Sequence, residues 1–66
     1  MDRETIRRIR DAVSSGNLGT RFTAADVNRV LGIGWAGTFL PKHRVGNPGK
    51  FTELFVRVDR GLYRLK

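Results

Sequence analysis

The chain carries one histidine, His43, and no cysteine. Thiolate nucleophiles, disulfides and zinc–thiolate sites are therefore excluded. Ser14 and Ser15 have no base near them in sequence. The six carboxylates are scattered, with no spacing that suits a metal pair or an acid–base dyad. Asp26 is better used as a helix cap, and the glycine-rich pieces lack the Lys-Ser/Thr of a phosphate loop. No catalytic residue, metal ligand or cofactor is expected, and the chain does not read as an enzyme. What its residue types offer is cationic contact. No carboxylate lies between Asp26 and Glu53, and that interval holds Arg29, Lys42, Arg44 and Lys50 together with His43. Cations without acidic neighbours are free to displace counterions from a phosphate backbone. His43, flanked by Lys42 and Arg44, reads as a phosphate contact before it reads as a base. A second cationic set, Arg57, Arg60, Arg64 and Lys66, falls near the C-terminus. A third, Arg7, Arg8 and Arg10, reads mainly as a solvated face partly paired with Glu4 or Asp11.

The whole-chain charge agrees. Thirteen Lys/Arg against six Asp/Glu leave a net +7 on 66 residues, which points to a polyanionic partner, nucleic acid first and an anionic membrane surface second. The length allows one small domain, residues 1–66, and an apolar fraction of 39% suits a packed chain. Apolar runs fall far short of the ~20 residues a membrane-spanning helix needs. The N-terminus is too charged for a secretory signal. A cytoplasmic location is expected, at the nucleoid if the partner is DNA.

The elements that would position these cations can be read in order. Asp2 can cap a helix running to about Ser14, with Ile6, Ile9, Ala12 and Val13 on one face and Gly16 as a left-handed stop. Residues 15–20 read as a loop, and 21–23 as a brief strand. Thr23 with Asp26 resembles a capping box, and Phe22 with Val27 a hydrophobic staple. The helix that follows carries Val27, Val30 and Leu31 on one face, Asn28 and Arg29 on another, and stops at Gly32. Over 35–43, Trp35, Phe39 and Leu40 have helical spacing, against Gly37 and Pro41. Either the helix starts near Thr38 with Pro41 in its first turn, or it starts near Trp35 and bends at Pro41; a short, imperfect helix over 35–43 is the favoured form. Residues 45–50 read as a loop. Residues 52–58 and 62–65 read as strands around a turn at Asp59-Arg60-Gly61, Gly61 left-handed and Arg60 at the tip. Phe55, Arg57, Tyr63 and Leu65 then share one face, and Leu54, Val56, Val58, Leu62 and Arg64 the other. Both faces carry apolar residues, which implies a bulge or a doubly covered hairpin. Phe22, Phe39, Phe55, Tyr63 and the lone Trp35 are core candidates.

Two short helices joined tightly and followed by a C-terminal hairpin resemble the winged helix-turn-helix. The resemblance is carried by Phe22-Thr23-Ala24-Ala25-Asp26-Val27, Val30-Leu31-Gly32, Thr38-Phe39-Leu40 and residues 57–65 (RVDRGLYRL), and spans most of the chain from Phe22 onward. The phrase Thr38 to His43 with Gly46-Asn47-Pro48-Gly49 also looks like small prokaryotic winged-helix modules of unknown function, some of which accompany restriction or nuclease domains. The chain departs from the usual pattern at Gly37 and Pro41. The resemblance implies an α+β fold of three short helices and a C-terminal β-hairpin, with the third helix in the major groove of double-stranded DNA and the hairpin wing on phosphates or the minor groove. On that reading Thr38, Lys42, His43 and Arg44 approach the groove, Lys50 and Arg60 contact phosphates, and Arg3 stands remote. The alternative is a winged helix used for protein–protein interaction, with another domain or as a homodimer. RNA comes third, since no exposed aromatic ladder is evident.

Overall fold

The computed structural model describes residues 2–66, with side chains from residue 3 onward. Among these residues the chain forms three helices and three strands, an α+β arrangement in the order α1 (Asp2–Ser15), β1 (Arg21–Phe22), α2 (Ala24–Leu31), α3 (Ala36–Lys42), β2 (Phe55–Asp59) and β3 (Leu62–Leu65). The expected cap from the Asp2 side chain lies outside the described residues.

α1 buries Ile6, Ile9 and Ala12 along one stripe, as their spacing dictates. Gly16 ends the helix with φ of 84°. The chain reverses through Leu18, which is buried and whose N–H donates to the Ala12 carbonyl at 3.0 Å. β1 is two residues long and pairs antiparallel with β3, placing Arg21 opposite Arg64 and Phe22 opposite Tyr63. The sheet order is β1-β3-β2, so the shortest strand closes one edge through a partner forty residues away in sequence.

α2 has the cap its sequence predicts. The Asp26 N–H donates to Thr23 Oγ1 at 3.2 Å, and the Thr23 N–H donates to the Asp26 carboxylate at 3.0 Å. Phe22 and Val27, the expected staple, are both fully buried. Gly32 closes the helix in the left-handed region. Asn28 then joins α2 to α3. Its carbonyl accepts from the Gly32 and Ile33 N–H groups, and its side-chain oxygen accepts from the Ala36 N–H at 2.9 Å. That bond supplies the N-terminal cap of α3, which Trp35 at the cap position cannot provide.

α3 starts beside Trp35, as favoured, and Pro41 is the sixth of its seven residues. So late in the helix, proline forfeits only the bond to the Gly37 carbonyl. Ala36, Phe39 and Leu40 face the core. Phe39 meets Phe55 edge-on at 5.8 Å between centroids, and Phe55 meets Phe22 the same way at 6.1 Å. One aromatic cluster thus ties α3, β1 and β2 together.

The first strand of the hairpin begins at Phe55, three residues later than expected. Residues 52–54 bond elsewhere: the Leu54 N–H donates to the His43 carbonyl at 2.7 Å, and the Thr52 carbonyl accepts from His43. Phe55 pairs with Leu65 and Arg57 with Tyr63, as the expected common face requires, and the bulge falls between Arg57 and Asp59. Gly61 turns the hairpin at φ of 72°.

Candidate functional site

Between α3 and β2 the chain makes a long excursion, residues 43–54. The Leu54 and Phe55 N–H groups both donate to the His43 carbonyl, so the two ends of the excursion meet. The Val45 N–H donates to the Phe55 carbonyl at 2.8 Å, and Arg44 forms a parallel bridge with Phe55 on the open edge of β2. This is an Ω-type loop, closed at its neck and filled by its own side chains.

Asn47 fills it. The side chain is only 7% exposed. Its amide donates to the carbonyls of Arg44 at 2.9 Å and Phe51 at 3.0 Å, and its oxygen accepts from the Phe51 N–H at 2.7 Å. The sequence signal was present: an asparagine before Pro-Gly, with backbone partners three and four residues away. It reads as turn chemistry, however, and nothing in the pattern says that the side chain turns inward. Glu53 adds a second tie, accepting from the Gly46 N–H at 2.8 Å and pairing with Lys66 at 3.4 Å. Those contacts, the Gly46 N–H first, lower the carboxyl pKa of Glu53.

The loop runs beside the exposed side of α3, and together they enclose a groove of about 570 Å³. Gly37, Thr38, Pro41 and Lys42 line it from the helix, and Arg44, Asn47, Pro48, Gly49 and Phe51 from the loop. Thr38, Lys42 and Arg44 are thus brought together, as expected of neighbours on this face. Lys42 holds its ammonium 4.6 Å from the centroid of the Phe51 ring, a cation–π contact. Arg44 donates to the carbonyls of Val45 and Gly46. Lys50 belongs to the same loop and sits in the left-handed region at φ of 55°. It is the one non-glycine residue with positive φ among those described, a conformation that costs about 1 kcal/mol or more. Among the described residues no carboxylate pairs with Lys42, Arg44 or Lys50.

Three expectations are corrected. His43 does not share the surface of its neighbours. It is 3% exposed, its Nδ1–H donates to the Thr52 carbonyl at 2.9 Å, and its ring lies 4.8 Å from Phe39. It holds the neck of the loop and cannot reach a phosphate in this conformation. Trp35 is 47% exposed rather than core. It stands at the cap of α3, with its ring edge-on to Phe39 at 5.6 Å, and the interior beneath it is already filled by the phenylalanines. Arg3 is not remote: it lines a hollow with Ile6, His43, Thr52 and Leu54.

Arg60 sits at the hairpin tip, separate from the groove, with its N–H bonded to the Asp59 carboxylate at 2.7 Å. On α1, Arg7 pairs with Glu4 and, at 3.1 Å, with Asp11. Arg8 donates to the Leu31 carbonyl at 2.7 Å, capping the C-terminus of α2, a tertiary bond that no local signal marks. Among the described residues no group of His, Asp and Glu is arranged to hold a metal ion, and no helix is long and apolar enough to cross a membrane. No family model, curated protein or solved structure matches the chain.

Proposed function

We propose that this chain is a winged helix-turn-helix domain that binds double-stranded DNA, with α3 and the 43–54 loop facing the duplex. The observation that carries the reading is the groove with Lys42 and Arg44 on its rim and no carboxylate in its lining. Lys50 is on the same loop. A cationic surface that its own carboxylates leave open attracts a polyanion through counterion release. The order of elements supports the fold family: a short strand between α1 and α2, pairing with the second strand of a C-terminal hairpin, suits a winged helix. Arg60 at the hairpin tip is the second contact in this reading.

The test is the salt dependence of binding to duplexes of random sequence. Lys42→Ala with Arg44→Ala lowers affinity for all duplexes alike and flattens the log–log salt slope by about 2, near 0.9 per lost contact. Arg21→Ala is the control. Arg21 lies on β1, with β3 and β2 between it and the bridge of Arg44, so roughly 14 Å separate them at ~4.8 Å per strand. Equal losses from all three substitutions mean diffuse charge attraction without a docked surface. Absence of binding at low salt ends the DNA reading and leaves protein–protein interaction in its place.

A further inference from the structure

We infer that the groove between α3 and the 44–51 loop holds a single unpaired nucleobase, stacked on Phe51, with the adjoining phosphates on Lys42 and Arg44. The inference rests on the DNA-binding reading above and names what the site takes.

It begins from what α3 lacks. Ala36, Phe39 and Leu40 are buried, which leaves Gly37, Thr38, Pro41 and Lys42 on the outer side. Only Thr38 and Lys42 among these can hydrogen-bond a base edge, and the ammonium of Lys42 is engaged over the Phe51 ring. The loop also lies along this side, so the outer surface of the helix is concave rather than a ridge ready to enter a major groove. At about 570 Å³ the hollow falls within the roughly 300–1,000 Å³ of small-molecule sites.

The lining selects the ligand. Phe51 is 47% exposed, a large aromatic surface in water on a loop otherwise tightly bonded. Its ring lies against the backbone of Gly49 so closely that a Cβ at residue 49 would stand 2.4 Å from Cε2. Glycine there lets the ring take this position. The ring presents a π-face, and the ammonium of Lys42 rests over it. A phosphate arriving at the rim attracts that ammonium, and the face it covered becomes available for stacking. A planar base with its phosphates supplies both partners at once.

An extended peptide is a poorer fit. Peptides that add to a surface through their main chain need free carbonyl and N–H groups in a row. In this loop the carbonyls of Arg44 and Phe51 accept from Asn47, those of Val45 and Gly46 from Arg44, and that of Asn47 from the Lys50 N–H, while the Gly46 N–H donates to Glu53. A base needs none of them.

The experiment compares three labelled duplexes by fluorescence anisotropy: fully paired, with a one-nucleotide adenine bulge, and with an abasic residue in the same bulge. The adenine bulge is expected to bind about tenfold more tightly than the abasic bulge, the increment of one stacked base. Phe51→Ala abolishes the difference between the two bulges, read as the ratio of their affinities within the same variant, whereas Phe51→Tyr retains it. Gly49→Ala, which displaces the ring, diminishes it. With wild-type protein alone, 2-aminopurine in the bulge loses fluorescence as it stacks, a readout that needs no variant. Equal affinity for the adenine and abasic bulges overturns the inference, and binding to the fully paired duplex then leaves the DNA reading standing. Absence of binding to all three at low salt overturns both.

Discussion

The first helix and the 42–50 segment are both rich in cations, and they treat them in opposite ways. On α1, Arg7 lies between Glu4 and Asp11, one turn away on either side, and Arg8 is bonded to the end of α2. The pairing with Glu4 raises the pKa of Arg7 and lowers that of the carboxyl. In the 42–50 segment the cations meet carbonyls and an aromatic ring but no carboxylate. The acid on the same excursion, Glu53, bonds a backbone N–H and Lys66. Total charge therefore says little about where a polyanion docks. The surface that counts is the one whose charges the fold leaves uncompensated, and here that surface is held in shape by the neutral hydrogen bonds of Asn47 together with the tie from Glu53 to the Gly46 N–H.

Asn47→Ala gives the largest effect expected of a single substitution in this contrast. It deletes three side-chain hydrogen bonds, taking the donor from the Phe51 carbonyl and the acceptor from the Phe51 N–H, while the Arg44 carbonyl keeps the Asn47 backbone N–H. Urea denaturation should show a loss of about 2–3 kcal/mol. Duplex affinity should fall with it, because Lys42, Arg44 and Lys50 lose their common frame. Arg7→Ala, by contrast, should leave both close to wild type, since exposed ion pairs contribute little. If Asn47→Ala leaves the loop intact, the groove is held by its neck alone.

The left-handed positions sharpen the comparison at a smaller scale. Lys50 holds a positive φ with a long side chain, so Lys50→Gly should raise stability by about 1 kcal/mol. The same change removes a cation and should flatten the salt slope by about 0.9. A gain in stability with an unchanged slope would take Lys50 out of the interface. Gly61→Ala is the mirror experiment. Its φ is also positive, and a Cβ there would meet nothing within 4 Å, so the expected loss of about 1 kcal/mol is backbone strain alone. Unchanged thermal stability would mean that the hairpin turn accepts another conformation.

The parts that were legible before the structure have their causes within a few residues. Thr23, Asp26 and Gly32 start and stop α2 by bonds of short reach, and Asp59-Arg60-Gly61 turns the hairpin for the same reason. The common face of Phe55, Arg57, Tyr63 and Leu65 follows from alternation. What stayed hidden depends on distant partners or on competition for space. The loop extends to residue 54 because His43 captures Thr52 and Leu54. His43 is buried because its ring packs at a tilt against Phe39, although the charged neighbours suggest a surface. Trp35 is displaced to the surface because Phe22, Phe39, Phe55, Leu40 and Tyr63 fill a small interior, and a cap position reaches it least well. At the site, Thr38, Lys42, Arg44 and Lys50 were legible as an acid-free run. Asn47 and Phe51, which give that run a shape, were not.

Acid supplies the smallest and last test. The carboxyls of Glu4 and Glu53 both lie below their ordinary value of 4.5 in the folded chain, the first through Arg7, the second through the Gly46 N–H and then Lys66. A depressed carboxyl contributes stability that is complete above its unfolded value and is lost as pH falls through its folded one. Stability should therefore be flat from pH 7 to about 5 and decline below 4. Both groups are exposed, so the decline is shallow. The two regions part company in what the lost proton-free carboxylate was holding. At α1 it held a side chain, and Glu4→Gln should release Arg7 while leaving amide exchange in the loop unchanged. At residue 53 it holds backbone, and Glu53→Gln should speed exchange at the Gly46 amide at pH 7. If the two variants give the same exchange pattern, Glu53 belongs with the surface pairs, and the loop keeps its shape through Asn47 without it.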